Sequence, residues 1–96
     1  MKEKLLLKLM DFLKICYDCL MQTPYSSDKV AFQSDINICV GWLLKIHDDV
    51  PIKEIIDDIL DSSTSKHFFD YYKEGVYGDI QAKGFADFQT EIELMK

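Results

Sequence analysis

Residues 35–47 read DINICVGWLLKIH, and the fold turns on them. They contain the sole tryptophan, Trp42, and the longest unbroken apolar run, Ile38 to Leu44. Wound as a helix, Ile36, Cys39, Val40, Trp42, Leu43 and Leu44 cover about 200° of the circumference, against the roughly 100° of a one-sided amphipathic helix. A helix that apolar has to be covered on two sides, which places it at the centre of a small bundle. Ile36, Ile38 and Val40 also alternate as a short strand would, and spacing alone leaves both readings open.

Working outward, residues 2–22 read as a long amphipathic helix. Lys4, Lys8, Asp11, Lys14, Asp18 and Gln22 form a narrow polar stripe. Leu6, Leu9, Met10, Leu13, Cys16, Tyr17 and Leu20 fill the opposite side at helical spacing. Thr23-Pro24-Tyr25-Ser26 is a turn, since proline lacks a helix donor and restricts its neighbour. Ser27 is the expected N-cap of the central helix, with Asp28 against the positive end of its dipole. That helix runs from about 28 to His47. Gly41 inside it is read as a close approach of a neighbouring helix, with a kink as the alternative. Asp49 then caps a third helix, 51–61, opened by Pro51. Ile52, Ile55, Ile56, Ile59 and Leu60 give this helix a clean amphipathic pattern. Ser62 to Ser65 is a loop, Lys66 to Glu74 a short helix stopped by Gly75, and Asp79 to Lys96 a final helix with Phe85, Phe88, Ile92 and Met95 in register. The expectation is an all-α fold, a single domain over 1–96 built as a small bundle of four to five helices.

Composition narrows the partners. The chain of 96 residues carries a net charge of −6 and no arginine. Scattered lysines on a net-negative body repel a phosphate backbone, and arginine is the usual fork for phosphates and base edges, so nucleic acid is not the expected ligand. An apolar run of seven is far short of the ~20 residues that cross a bilayer. Lys8, Asp11 and Lys14 break the leucine-rich start, so it does not read as a signal peptide. Three cysteines, an odd number, fit a reducing compartment, and the expected location is the cytoplasm.

Catalytic and metal chemistry find little footing. Cys16-Tyr17-Asp18-Cys19 is a CxxC, but it lies near the end of a helical pattern, away from the N-terminus where a dipole activates a thiol. Core packing is its reading. Cys39, His47 and His67 match no zinc spacing. Asp57-Asp58-Ile59-Leu60-Asp61 is a DDxxD, which can hold magnesium and a diphosphate, but a charge run of this kind is more often a solvated helix face. Neither histidine is patterned beside a nucleophile. The expectation is a protein that is not an enzyme, with no cofactor, no metal and no catalytic residue.

The uneven charge carries more information. Residues 1–22 are net +1, whereas 48–61 hold six acids and one lysine: Asp48, Asp49, Glu54, Asp57, Asp58 and Asp61 against Lys53. Such a surface steers onto a basic partner. Directly after it, Phe68-Phe69-Asp70-Tyr71-Tyr72-Lys73-Glu74-Gly75-Val76-Tyr77 places five aromatics in ten residues. They cannot all face inward on a short helix, and tyrosine is a frequent interface anchor.

An acidic helix, a serine-rich loop, a short helix with a tyrosine pair, then Glu-Gly and a last helix resembles the immunity proteins that inhibit nuclease bacteriocins of the colicin and pyocin type. The matching stretch is about 48–95. The family's proline after the tyrosine pair is Lys73 here, and the helix at 2–22 is additional. The resemblance implies binding of a basic toxin domain, plausibly a nuclease, by Glu54, Asp57, Asp58 and Asp61 with Tyr71 and Tyr72. Asp48, Asp49, Asp70, Glu74 and Tyr77 border that set. The alternative is a self-associating helical module, a homodimer formed through the wide apolar face of residues 5–21.

Overall fold

The computed structural model describes residues 2–61 and 78–96, with side chains of the last helix described at Lys83 and from Ala86 onward. Among the described residues there are four helices: α1 (Lys2–Gln22), α2 (Ser26–His47), α3 (Ile52–Asp61) and α4 (Gly78–Leu94). The expected all-α architecture is what these residues adopt, and the strand alternative for Ile36–Val40 falls, because α2 runs unbroken through it. The loop, short helix and Gly75 expected at 62–75 lie outside the described residues.

The helices pack as a ring. α1 lies against α2 and α4, and α3 closes the other side against α2 and α4. Leu5, Leu9, Phe12, Cys16 and Cys19 of α1 meet Phe32, Cys39 and Trp42 of α2, Ile55, Ile56 and Ile59 of α3, and Phe88, Ile92 and Met95 near the end of the chain. Phe12 stacks on Phe88 with ring centroids 4.4 Å apart and planes at 15°. Such a pair adds about 0.5–1.5 kcal/mol beyond the area it buries.

Two expectations are corrected here. The inward side of α1 keeps part of the expected face, with Leu9 and Cys16 buried and Leu13 and Leu20 packed partly buried against the core, but it is turned by roughly 80° from the middle of that face. Leu6, Met10 and Tyr17 are exposed, whereas Leu5, Phe12 and Cys19 are buried. The cause lies in α1 itself: apolar residues occupy more than half of its circumference, so hydrophobicity alone does not choose the buried side. The fit of Phe12 to Phe88, and of Cys39 to the Leu9 backbone, chooses it. Likewise α2 is one member of the ring rather than its centre. It buries Phe32, Asp35, Cys39 and Trp42, while Val40 and Leu44 stay open to solvent.

The turns also differ in detail. Tyr25, not Ser27, sits at the N-cap of α2, without a side-chain cap. The turn is held by buried Thr23, whose hydroxyl accepts from the Tyr25 N–H (3.3 Å) and donates to Asp28 Oδ2 (3.2 Å). Asp49 closes α2 instead of capping α3. It takes the left-handed region (φ 59°), with its N–H donating to the Ile46 carbonyl and the Val50 N–H to that of Lys45. That is the paired closure in which glycine or asparagine is usual. Pro51 stands just ahead of α3, and its carbonyl accepts from Glu54 and Ile55.

Gly41 is not a contact point. A Cβ built there meets nothing within 4 Å. Glycine therefore costs helix stability with no packing return, and Gly41→Ala is expected to raise the unfolding free energy by about 1 kcal/mol, read by urea or thermal unfolding. Asp35 is the opposite anomaly, a carboxylate only 4% exposed. Among the described residues it has no hydrogen-bond or ion-pair partner. Burial pushes its pKa up to about 7. Between the ordinary carboxylate value and that figure, the folded chain holds a proton that the unfolded chain releases, so stability falls as pH rises through the window. Unfolding measured from about pH 4 to pH 8 should show that slope, and Asp35→Asn should remove its part of it.

Candidate partner-binding face

The acidic face is built on α3. Ile55, Ile56 and Ile59 point into the core, which leaves Glu54 and Asp61 exposed and Asp57 half-buried at positions i, i+3 and i+7. They form one stripe along the helix. None of the three is paired with a described cation. Lys53 flanks the stripe.

The other acids of this stretch have structural duties. Asp58 is turned to α2, where its Oδ2 accepts from the Trp42 indole N–H (2.8 Å) and from Lys45 Nζ (3.1 Å). The Lys45 hydrogen bond holds the Asp58 carboxyl below the usual carboxylate range. Partial burial opposes it, and the indole adds to it. Asp49 accepts from Lys2 Nζ at 2.6 Å, which lowers its pKa in the same sense. Lys2 and Lys45 thus offset two of the negative charges counted in 48–61. Asp48 is exposed beside His47 at the α2–α3 corner, with Oδ1 at 3.4 Å from the ring Nδ1. The face presented to a partner is therefore narrower than the run of acids suggests: Glu54, Asp57 and Asp61, with Asp48 at its edge. Asp70, Tyr71, Tyr72, Glu74 and Tyr77 lie outside the described residues.

Beside the stripe is a feature that periodicity does not reveal. A cleft of about 260 Å³ opens between the start of α3 and the end of the chain, lined by Ile52, Lys53, Ile56, Met95 and Lys96. It exists because α4 ends against the first turn of α3. Only the tertiary pairing of these two helices brings the residues together, and no local pattern announces it. Its apolar floor suits one side chain of a docking protein.

All three thiols, Cys16, Cys19 and Cys39, lie buried in the core. Cys39 Sγ donates to the Leu9 carbonyl (3.4 Å), and burial pushes its thiol up to about 12, so the nucleophilic thiolate is suppressed at neutral pH. Among the described residues, no three His, Cys, Asp or Glu side chains are grouped to hold a metal ion. No helix among them is long and apolar enough to cross a membrane. Comparison with protein-family models, with curated proteins and with solved structures gives no match.

The split between bonded and unbonded acids is measurable. Asp58→Ala should lower the unfolding free energy by about 1–2 kcal/mol, since it leaves the Trp42 N–H without its acceptor. Asp57→Ala and Asp61→Ala should change it by less than about 0.5 kcal/mol. Denaturant unfolding followed by Trp42 fluorescence reads all three.

Proposed function

We propose that this chain is a non-enzymatic inhibitor of the immunity or antitoxin type, acting by binding a basic toxin domain through the outer face of α3. The observation that carries the reading is the stripe of exposed Glu54 and Asp61 and half-buried Asp57, unpaired among the described residues, on a helix whose inner side is locked in the core. A rigid row of carboxylates attracts a cationic surface over about one Debye length and orients it before contact. A chain of net charge −6 that concentrates acid on one helix spends folding stability on like-charge repulsion, and steering a cationic partner is what returns it.

The inhibition would proceed in two stages. Carboxylates capture the toxin's cationic surface, which in a nuclease is the surface that holds the substrate phosphates. Short-range contacts then set the lifetime of the complex, with the apolar cleft at Ile52, Ile56 and Met95 beside the stripe as one anchor. Tyr71 and Tyr72, carried over from the immunity-protein resemblance, are the others. Asp58 has a secondary place in this scheme because Lys45 and Trp42 already occupy one of its oxygens.

The reading is tested by passing an extract of the native host over the immobilised chain. A basic protein should be retained, released by about 0.5 M salt, and its activity should be blocked by the free chain. The Glu54→Lys, Asp57→Lys, Asp61→Lys variant should lose at least about tenfold in association rate at low salt, with a smaller change in dissociation rate. Equal retention by wild type and variant would refute the assignment to α3.

A further inference from the structure

The wide apolar arc of α1 is shared between two surfaces. One part enters the core. The rest, with the adjoining edge of α2, forms an outer strip: Leu6, Met10 and Tyr17 on α1, Val40 and Leu44 on α2, each between 37 and 57% exposed. The two helices run antiparallel across a three-residue turn, and the bond from Cys39 to the Leu9 carbonyl fixes their register. That register sets Leu6 level with the span from Val40 to Leu44 on the neighbouring helix, so the exposed apolar side chains lie on two helices packed side by side.

We infer that this face is the interface of a two-fold symmetric dimer of the chain. Two arguments select a second copy as its occupant. The first is charge. Glu3 and Lys14 are exposed on the same side of α1, about 16 Å apart along its axis. A two-fold axis perpendicular to α1, midway between Leu6 and Met10, brings Glu3 of each copy to Lys14 of the other. The patch is complementary to itself. The second is avoidance of repulsion. A chain of net charge −6 associates with itself only where acid is sparse. In the helix ring α3 lies across from α1, so this dimer keeps the two acidic stripes apart and leaves both open.

Sedimentation velocity and light scattering over about 1 to 500 µM test the inference, a range that brackets micromolar dissociation constants. The expected result is a reversible rise from monomer to dimer mass. Met10→Glu and Val40→Glu, both at solvent-exposed positions, should leave the helical circular dichroism and the melting cooperative while weakening association at least about tenfold. Glu3→Lys and Lys14→Glu should each weaken it, and the double exchange should restore it, because the pair is re-formed with its signs reversed. A monomer at every concentration would overturn the inference, as would a dimer indifferent to Met10→Glu and Val40→Glu, or a double exchange as weak as its two parents. These readouts involve no toxin partner, so they stand or fall separately from the inhibitor reading.

Discussion

Phe12 stacked on Phe88 is the contact through which the two ends of the chain hold each other. It joins the first helix to the last, separated by most of the sequence, and it fixes which side of α1 turns inward. Lys8 reaching Glu91 reinforces the same pairing from the solvent side, and the ion pair raises the Lys8 pKa. With α1 so oriented, Leu5, Leu9 and Cys16 follow into the core by helical spacing, and Cys39 meets the Leu9 carbonyl. Between α2 and α3 the shared core is joined by Asp58, whose carboxylate accepts from both Trp42 and Lys45. Truncating a buried phenylalanine typically costs about 3–5 kcal/mol, a large share of what a domain of this size has to lose.

The same orientation sorts the surface. Turning Phe12 inward turns Leu6, Met10 and Tyr17 outward, so the apolar strip on the hairpin is a consequence of the core and not an independent feature. On the far side, the isoleucines of α3 fix its acidic stripe in the same way. The molecule has two faces of opposed character, one apolar and nearly balanced in charge, the other acidic and rigid.

Helix positions were legible in the sequence because their signals are local: Pro24 and Pro51 interrupt the helices, and the isoleucine spacing of α3 admits one inner face. The inner face of α1 was legible only in part: Leu9 and Cys16 are buried as their spacing indicated, but leucine and methionine lie around most of the helix, and a distant phenylalanine decides that Leu6, Met10 and Tyr17 stay outside. Gly41 misled for a related reason. A glycine within a helix suggests a close neighbour, but open space surrounds it here. Within the acidic face, Glu54, Asp57 and Asp61 could be marked from spacing. The withdrawal of Asp58 and Asp49 could not, because Trp42, Lys45 and Lys2 reach them only in the folded chain. Burial of Asp35 had no sequence signal either, since an aspartate before an apolar run ordinarily marks a solvent edge.

The orientation of α1 is open to direct measurement through its methionines. Met10 and Met21 are exposed, and Met95 is buried. Brief oxidation of dilute protein followed by peptide mass spectrometry gives the rate at each sulfur, with Met95 as the internal standard for the core. Fast oxidation of Met10 and Met21 with slow oxidation of Met95 is the expected pattern. A Met10 as protected as Met95 in the dilute monomer would mean that α1 turns its other side inward, and the ring built on Phe12 and Phe88 would be wrong.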